Sequence, residues 1–421
     1  MTSTLHSTVA PAPGFAERLI RARLARVEVG LLCIRTGRGT QILGQPAADG
    51  LSAEIRVHDP RFWDLVLRRG NVGAGEAFAK GYWSSPDPSD VVRLLLRNQV
   101  VLQGMERGVA RLSKPLLGLY HRLRRNTESG SKANIQAHYD LSNDFFRLFL
   151  DPTMMYSCGI FGDAEASLEQ ASLAKLERIA RKLDLQPGDH LLEIGTGWGS
   201  MAMYAAREYG CRVTTTTISE QQYALARERV REAGLEGRIE VRREDYRRLT
   251  GQFDKLVSIE MIEAVGHQYF DEFFRTCMGL LKPDGVFCLQ AITIADAYYD
   301  QARRNVDFIK RYIFPGCCIP SVGALSRSIA RASDFQSLHL EDIGLHYAPT
   351  LRHWSDNLAL NREPAMALGF DETFLRLWQY YFAYCEGGFR ERRLGDMQWV
   401  LARPGARHEV RVPALPPAPQ A

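Results

Sequence analysis

No stretch of the chain stays apolar for the roughly 18 residues that a membrane-spanning helix requires. The opening MTSTLHSTVAPAPGF lacks a basic segment followed by an apolar core, so no signal peptide is expected and this segment reads as a loose tail. Cysteine is sparse and scattered, at positions 33, 158, 211, 277, 288, 317, 318 and 385, with no CxxC pair and no zinc spacing. That distribution excludes a disulfide framework and suits reduced thiols in a cytoplasm. There is no internal repeat. A strong net charge is also missing, since 53 Lys and Arg face 49 Asp and Glu. The balance is uneven, however: residues 1–130 hold 19 basic against 11 acidic side chains. A basic first third on a mildly acidic body predicts one face that meets an anionic surface.

At 421 residues, 45% apolar and 24% charged, the chain suits two globular domains. A loose tail is expected at 1–14 and a smaller, mostly helical N-terminal domain at 15–103, serving as a lipid, membrane or dimer contact. In it, FWDLVLRRGNVGAGEAFAKGYWS predicts a helix closed by Gly70, a glycine-punctuated turn and a second helix, and Ser89 or Asp90 is expected to cap the next. A basic linker follows at 104–130, with Arg107, Arg111, Lys114, Arg122, Arg124 and Arg125 among Leu and Tyr. It reads either as a solvated helix or as a segment resting on acidic headgroups. A catalytic domain is expected at 131–403 and a disordered Pro-rich tail at 404–421. From about residue 170, strands and helices alternate. This rhythm predicts an α/β fold, a doubly wound, Rossmann-like parallel sheet.

Three successive strand ends carry binding chemistry. EIGTGWG places Glu193 before Gly195, Gly197 and Gly199 at a strand-to-helix turn, where bare backbone lets a ligand approach a helix N-terminus. The spacing is not GxGxxG, so a nucleoside is expected rather than a dinucleotide. An acidic-x-Gly-x-Gly-x-Gly turn after the first strand is the hallmark of S-adenosylmethionine (SAM) methyltransferases. Thr217 and Gln222 of TISEQQ fall where the ribose would lie, and Asp245 of EDYRRL suits the adenine amine. A merely tight turn is the bland alternative for the glycines alone. Three such strand ends in succession argue against it.

The stretches IQAHYDLSNDFFRLFLDPTMMYSCGIF, LLEIGTGWG, TISEQQ, SIEMIEAVG, DFIKRYIFPGCCIPS, IGLHYAPTLRHW and YFAYCEGGFR resemble the cyclopropane-fatty-acid synthase family across nearly all of 135–403. The chain is closest to that family's plant-type branch and its bacterial relatives. The resemblance implies transfer of a one-carbon unit from SAM to the cis double bond of unsaturated acyl chains in membrane phospholipids. It also implies a bound bicarbonate as the base that closes the ring. Carried over by position, Glu263 and Tyr347 would contact bicarbonate by their side chains, the backbones of Cys158 and Ile292 would complete its seat, and Tyr156 and Ser157 would touch the methionine end of SAM. Cys385 matches a cysteine with an implied catalytic role, although a thiol in an apolar run is more often a small core residue. His138 reads as ordering the loop over the cofactor. Tyr312 and Phe314 are candidates to line the acyl channel, or equally core residues.

Two positions depart from the best-known bacterial pattern. Gln290 stands where a histidine is usual, and Ala264 replaces a histidine after the glutamate. Gln290 can donate a hydrogen bond but cannot titrate near neutrality. Glu260 reads as a strand-edge acid and receives no role. The same methyl transfer ending in a methyl- or methylene-branched chain is the second reading. A lipid-binding protein on a retired scaffold is the third, and it would show a broken glycine turn or a lost Glu263 or Tyr347. Nucleic acid is not expected as a partner, since no Asn-Pro-Pro-Tyr motif is present and the basic charge lies outside the catalytic stretch. Peripheral association with the inner membrane face and a homodimer are expected possibilities.

Overall fold

The structure, a computed structural model, describes residues 12–101 and 142–419. The linker expected at 104–130, most of the leading tail, and the segment containing His138 lie outside the described residues. The chain divides into two compact units, one of Met1–Leu116 with Asp371–Glu391 and one of Leu117–Phe370 with Arg392–Ala421.

In the first unit the helices are joined by a sheet. Strands β1 (Gly30–Thr36), β2 (Gly39–Gln45), β3 (Ser52–Val57) and β4 (Trp83–Ser84) run in the order β2-β1-β3-β4, with β1 and β3 parallel. Helix α1 spans Phe15–Leu24, and α2, Arg61–Ala79, is continuous but kinked at Gly70, whose φ of 57° and ψ of −129° only glycine adopts readily. Helix α3, Pro88–Arg97, is capped by Asp87 rather than by Ser89 or Asp90: its carboxylate accepts the Ser89 N–H at 2.9 Å, and Pro88 fits the first turn because it has no N–H to satisfy. The helix Glu372–Arg390, within the stretch read from sequence as catalytic, packs in this unit. Arg376 Nε donates to the Phe78 carbonyl at 2.7 Å, and Arg93 and Arg97 both pair with Glu391.

The second unit is built on a seven-stranded sheet ordered β10-β11-β9-β8-β5-β6-β7. Its strands are β5 (His190–Ile194), β6 (Arg212–Thr216), β7 (Ile239–Arg242), β8 (Phe253–Ile259), β9 (Leu281–Ile294), β10 (Gln336–Asp342) and β11 (Leu394–Ala402). Strands β5 to β9 pair in parallel, and β10 and β11 are added antiparallel at one side. This is the doubly wound α/β fold read from the sequence, with an antiparallel flank that the alternation of strands and helices did not announce.

Pleating sends successive side chains to opposite faces, so nearly unbroken apolar strands feed two cores. Leu191, Val257 and Cys288 meet Leu176, Ile179, Met201 and Ala202 of α4 (Leu168–Leu183) and α5 (Ser200–Glu208). Leu192, Leu256 and Phe287 meet Phe273, Phe274, Leu325 and Ile329 of α7 (Phe270–Leu280) and α8 (Val322–Ala332), while α6 (Glu220–Glu232) links β6 to β7. The Pro-rich tail forms no regular element in 404–419, yet it is fixed to this unit rather than disordered. The Pro413 carbonyl accepts from Arg178 at 2.9 Å, and the Pro416 carbonyl lies 3.1 Å from His346 Nε2. No helix among the described residues is long and apolar enough to cross a membrane.

Candidate active site

A cleft of about 1160 Å3, including its open mouth, lies at the carboxyl ends of β5, β6 and β8. Its floor is the turn between β5 and α5, where Gly195, Gly197 and Gly199 all have positive φ, of 103°, 52° and 88°. A Cβ on Gly195 would lie 3.3 Å from Met261, so bare backbone faces the cleft there. Glu193, Gly195, Gly197, Thr217, Gln222 and Asp245 line it together with Tyr156 and Ser157 from the segment before α4. Gly199 does not line the cleft but caps α5 as its first flanking residue.

These groups are held by one another. Burial pushes the Glu193 carboxyl up to about 8, against the opposing effect of the Thr215 hydroxyl donating to it at 2.6 Å. Thr217 donates to the Gln222 side-chain carbonyl at 2.8 Å, which leaves the Gln222 amide hydrogens for a ligand. Asp245 is half-buried, which alone would raise it, but the Arg247 guanidinium at 2.8 and 2.6 Å holds it below its ordinary value. Its Oδ1 also accepts the Arg247 backbone N–H at 3.0 Å, so Oδ2 is the oxygen that retains a second lone pair for an amine donor. Ser157 accepts from the fully buried Lys175 ammonium at 2.6 Å. Tyr156 sits in an aromatic cage, its ring centroid 5.1 Å from Trp354, 5.3 Å from Phe146 and 6.4 Å from Phe314. Of the two aromatics singled out in RYIFPG, Phe314 packs against the cleft residue Tyr156 without lining the cleft itself, while Tyr312 packs on Phe308 at 5.6 Å. The residues fit SAM: a glycine floor, polar groups at successive strand ends and an aromatic wall around the place for a sulfonium.

Next to this cleft the sequence reading placed a bicarbonate seat, and the structure ties its residues to two side-chain carboxyls, Glu260 and Glu263. Glu260, which borders the cleft, accepts the Tyr347 hydroxyl at 2.6 Å, the Gln290 amide at 2.8 Å and the backbone N–H of Cys158 at 2.9 Å. Tyr347 opens helix α9, Tyr347–Leu360, and Gln290 lies on β9. Glu263, by contrast, is buried and accepts the Ile292 N–H at 2.5 Å, while its other carboxyl oxygen has no hydrogen-bond partner among the described residues. Burial and then the neighbouring Glu260 push Glu263 up to about 8, so it is a neutral acid at neutral pH. Burial and Glu260 also push Asp396 well above the usual carboxylate range. The donors implied for bicarbonate are therefore committed to two side-chain carboxyls, and the site does not fit a separate bicarbonate.

Two of the candidates are cysteines. Cys385 lies on the helix Glu372–Arg390 of the first unit. Cys158 contributes its backbone, while burial pushes its thiol well above the ordinary range, the sulfur directed at the Gly159 carbonyl 3.2 Å away. The residue that sequence reasoning passed over is Glu260. The available signal was its place immediately after β8, at the carboxyl end of a parallel strand.

Residues 126–399 match the sequence family described as mycolic acid cyclopropane synthetase. The chain is 36% identical over 374 residues to the tuberculostearic acid methyltransferase of Mycobacterium tuberculosis, spanning 85% of each. It is 38% identical over 365 residues to the cyclopropane-fatty-acyl-phospholipid synthase of Escherichia coli strain K12, spanning 86% of this chain and 90% of that one. Among solved structures, a mycolic acid cyclopropane synthase complexed with SAH and CTAB superposes with a TM-score of 0.60 at 34% identity, covering 64% of this chain and 98% of that one.

Proposed function

Because the chain belongs to the mycolic acid cyclopropane synthetase family and is a SAM-dependent methyltransferase of lipid acyl chains, we propose that it places the SAM methyl group on the cis double bond of unsaturated chains in membrane phospholipids and closes a cyclopropane ring. The observation that carries this reading is the intact cleft, with its glycine floor beside an oriented carboxylate and an aromatic wall. When bound, SAM supplies an electrophilic methyl group on a sulfonium. An alkene is a weak nucleophile, so the chain's own residues must exclude water and hold the double bond in line. Tyr156 lines the cleft with Phe314 packed against it at 6.4 Å, and an aromatic ring face would stabilise the carbon cation left after transfer. A base must then remove a proton from the new methyl group.

A methyl- or methylene-branched product is the second reading, favoured by the likeness to the tuberculostearic acid methyltransferase. The N-terminal unit and the basic segment after it, with six basic against two acidic residues in 104–130, would rest on anionic headgroups and bring the cleft to its chains. Cells expressing the chain and fed methyl-deuterated methionine test both readings by mass spectrometry of membrane fatty acids. A ring retains two of the three label hydrogens and resists hydrogenation. A methyl branch beside a migrated double bond retains all three, and a methylene branch retains two but takes up hydrogen. Unlabelled lipid in every fraction would reject the function.

A further inference from the structure

We infer that Glu260 is this enzyme's resident base: its carboxylate fills the seat otherwise expected to hold bicarbonate and takes the proton released from the newly added methyl group. The inference rests on the lipid methyl-transfer reading above and assigns the proton acceptor that reading requires. Three donors from distant parts of the chain, Tyr347, Gln290 and the Cys158 backbone, converge on the two oxygens of one side chain. Convergent donors of that kind are the pattern of an ionised carboxylate held as an acceptor. Glu260 borders the cleft beside Ser157 and Met261, whereas Glu263 does not line it.

The direction of the Gln290 amide is fixed by a chain of hydrogen bonds that begins at a cation. Lys182 Nζ has only hydrogens to offer and donates to Gln398 Oε1 at 2.8 Å. Gln398 must then turn its NH2 toward Gln290 Oε1, 3.0 Å away, and Gln290 must turn its own NH2 toward Glu260. Every bond in the chain points its hydrogen at Glu260, and each polarises the next. A glutamine here cannot accept and release a proton as a histidine would. The glutamine amide faces two carboxyls, Glu260 and, at 3.0 Å, Asp396, but Asp396 is fully buried and does not line the cleft, which leaves Glu260 as the base.

The backbone adds an independent sign. Glu260 has a φ of +48°, a left-handed conformation that non-glycine residues adopt only under strain and that gathers at functional sites. Its N–H is tied to the Gln290 carbonyl at 2.9 Å, which holds the strained residue at the end of β8 with its carboxylate toward the donors. In the ring-closing step, a C–H bond of the new methyl group breaks and its electron pair forms the third carbon–carbon bond at the cationic carbon. The proton passes to a Glu260 oxygen and then to solvent.

The test uses the full-length protein in bicarbonate-depleted and bicarbonate-supplemented buffer, as wild type, Glu260→Gln and Glu260→Gly. Glycine accepts the left-handed backbone without strain, so Glu260→Gly keeps the fold while opening the seat. We expect wild-type turnover to be the same in both buffers. Glu260→Gln should lose at least about 100-fold in turnover with S-adenosylhomocysteine affinity retained. Glu260→Gly should be inactive alone and regain turnover with bicarbonate or formate. Carbon-13 NMR of labelled bicarbonate should show saturable binding to Glu260→Gly and none to the wild type. Wild-type turnover that rises with bicarbonate, saturable bicarbonate binding to the wild type, or full turnover of Glu260→Gln would each overturn the assignment. If the wild type labels no lipid in either buffer, the methyl-transfer reading fails, and the NMR titration still decides which carboxylate occupies the seat.

Discussion

The Tyr347 hydroxyl donates to Glu260 at 2.6 Å, joining the first residue of α9 to the residue that follows β8. The ring itself is held edge-on against Trp354, with centroids 6.0 Å apart. Tyr347→Phe keeps that packing and removes one donor from the carboxylate. A hydrogen bond to a charged group contributes about 1.5–3 kcal/mol, so kcat is expected to fall about 10- to 100-fold. Tyr347 does not line the SAM cleft, so calorimetric affinity for S-adenosylhomocysteine should be unchanged. A parallel loss of affinity would place Tyr347 in the cofactor site instead.

Local chemistry was legible in the sequence where neighbours along the chain make the site. The glycine turn, Thr217 with Gln222, and Asp245 each act within a few residues of a strand end, and the structure gathers them in one cleft. The choice between Glu260 and Glu263 was not legible, because it depends on partners 87 and 102 residues away and on a left-handed backbone at Glu260. Strand β11 was likewise unread, since an antiparallel addition breaks the strand–helix alternation. With it went Asp396 and Gln398, which the strand brings opposite Ile292 and Gln290. Nor did the motif around Cys385 announce that its helix, Glu372–Arg390, packs with the N-terminal residues in the first unit.

At Gly195 the backbone φ is 103° and an added Cβ would lie 3.3 Å from Met261 at the edge of the cleft. Gly195→Ala therefore combines backbone strain with intrusion on the cofactor's place. We expect a loss of about 1–3 kcal/mol in stability by chemical denaturation. S-adenosylhomocysteine affinity should fall with it. An alanine variant that binds the cofactor at wild-type affinity would remove this turn from the site.

Gln398 is a positioning residue two bonds from the chemistry. Gln398→Glu preserves an acceptor for Lys182 but has no NH2 to offer Gln290. The Gln290 amide then gains by rotating its NH2 away from Glu260, and the carboxylate faces a carbonyl oxygen. A drop in kcat of about 10-fold or more is expected from the lost charge-assisted bond, with KM for SAM and the melting temperature retained. Lys182→Met should lower turnover by the same route. A variant that melts early with proportionate losses in kcat and SAM binding would indicate a merely structural role.

Glu263 gives a pH dependence of definite sign. Its carboxyl titrates near 8 in the folded protein against an ordinary 4.5, raised by burial and by Glu260. Between those values the unfolded chain releases this proton while the folded chain keeps it, so this residue's contribution makes folding less favourable as pH rises from about 4.5 to 8. Glu263→Gln retains a carbonyl for the Ile292 N–H and cannot ionise. Relative to wild type it should gain stability progressively across that window, by up to about 1.4 kcal/mol for each pH unit, and gain nothing from this source at pH 4. Urea denaturation of both proteins from pH 4 to pH 8.5 measures the difference. A gap that stays constant with pH would mean that Glu263 titrates alike in the folded and unfolded chains. One that reverses sign would mean that the folded protein holds Glu263 as an anion, and would return it to consideration as the base.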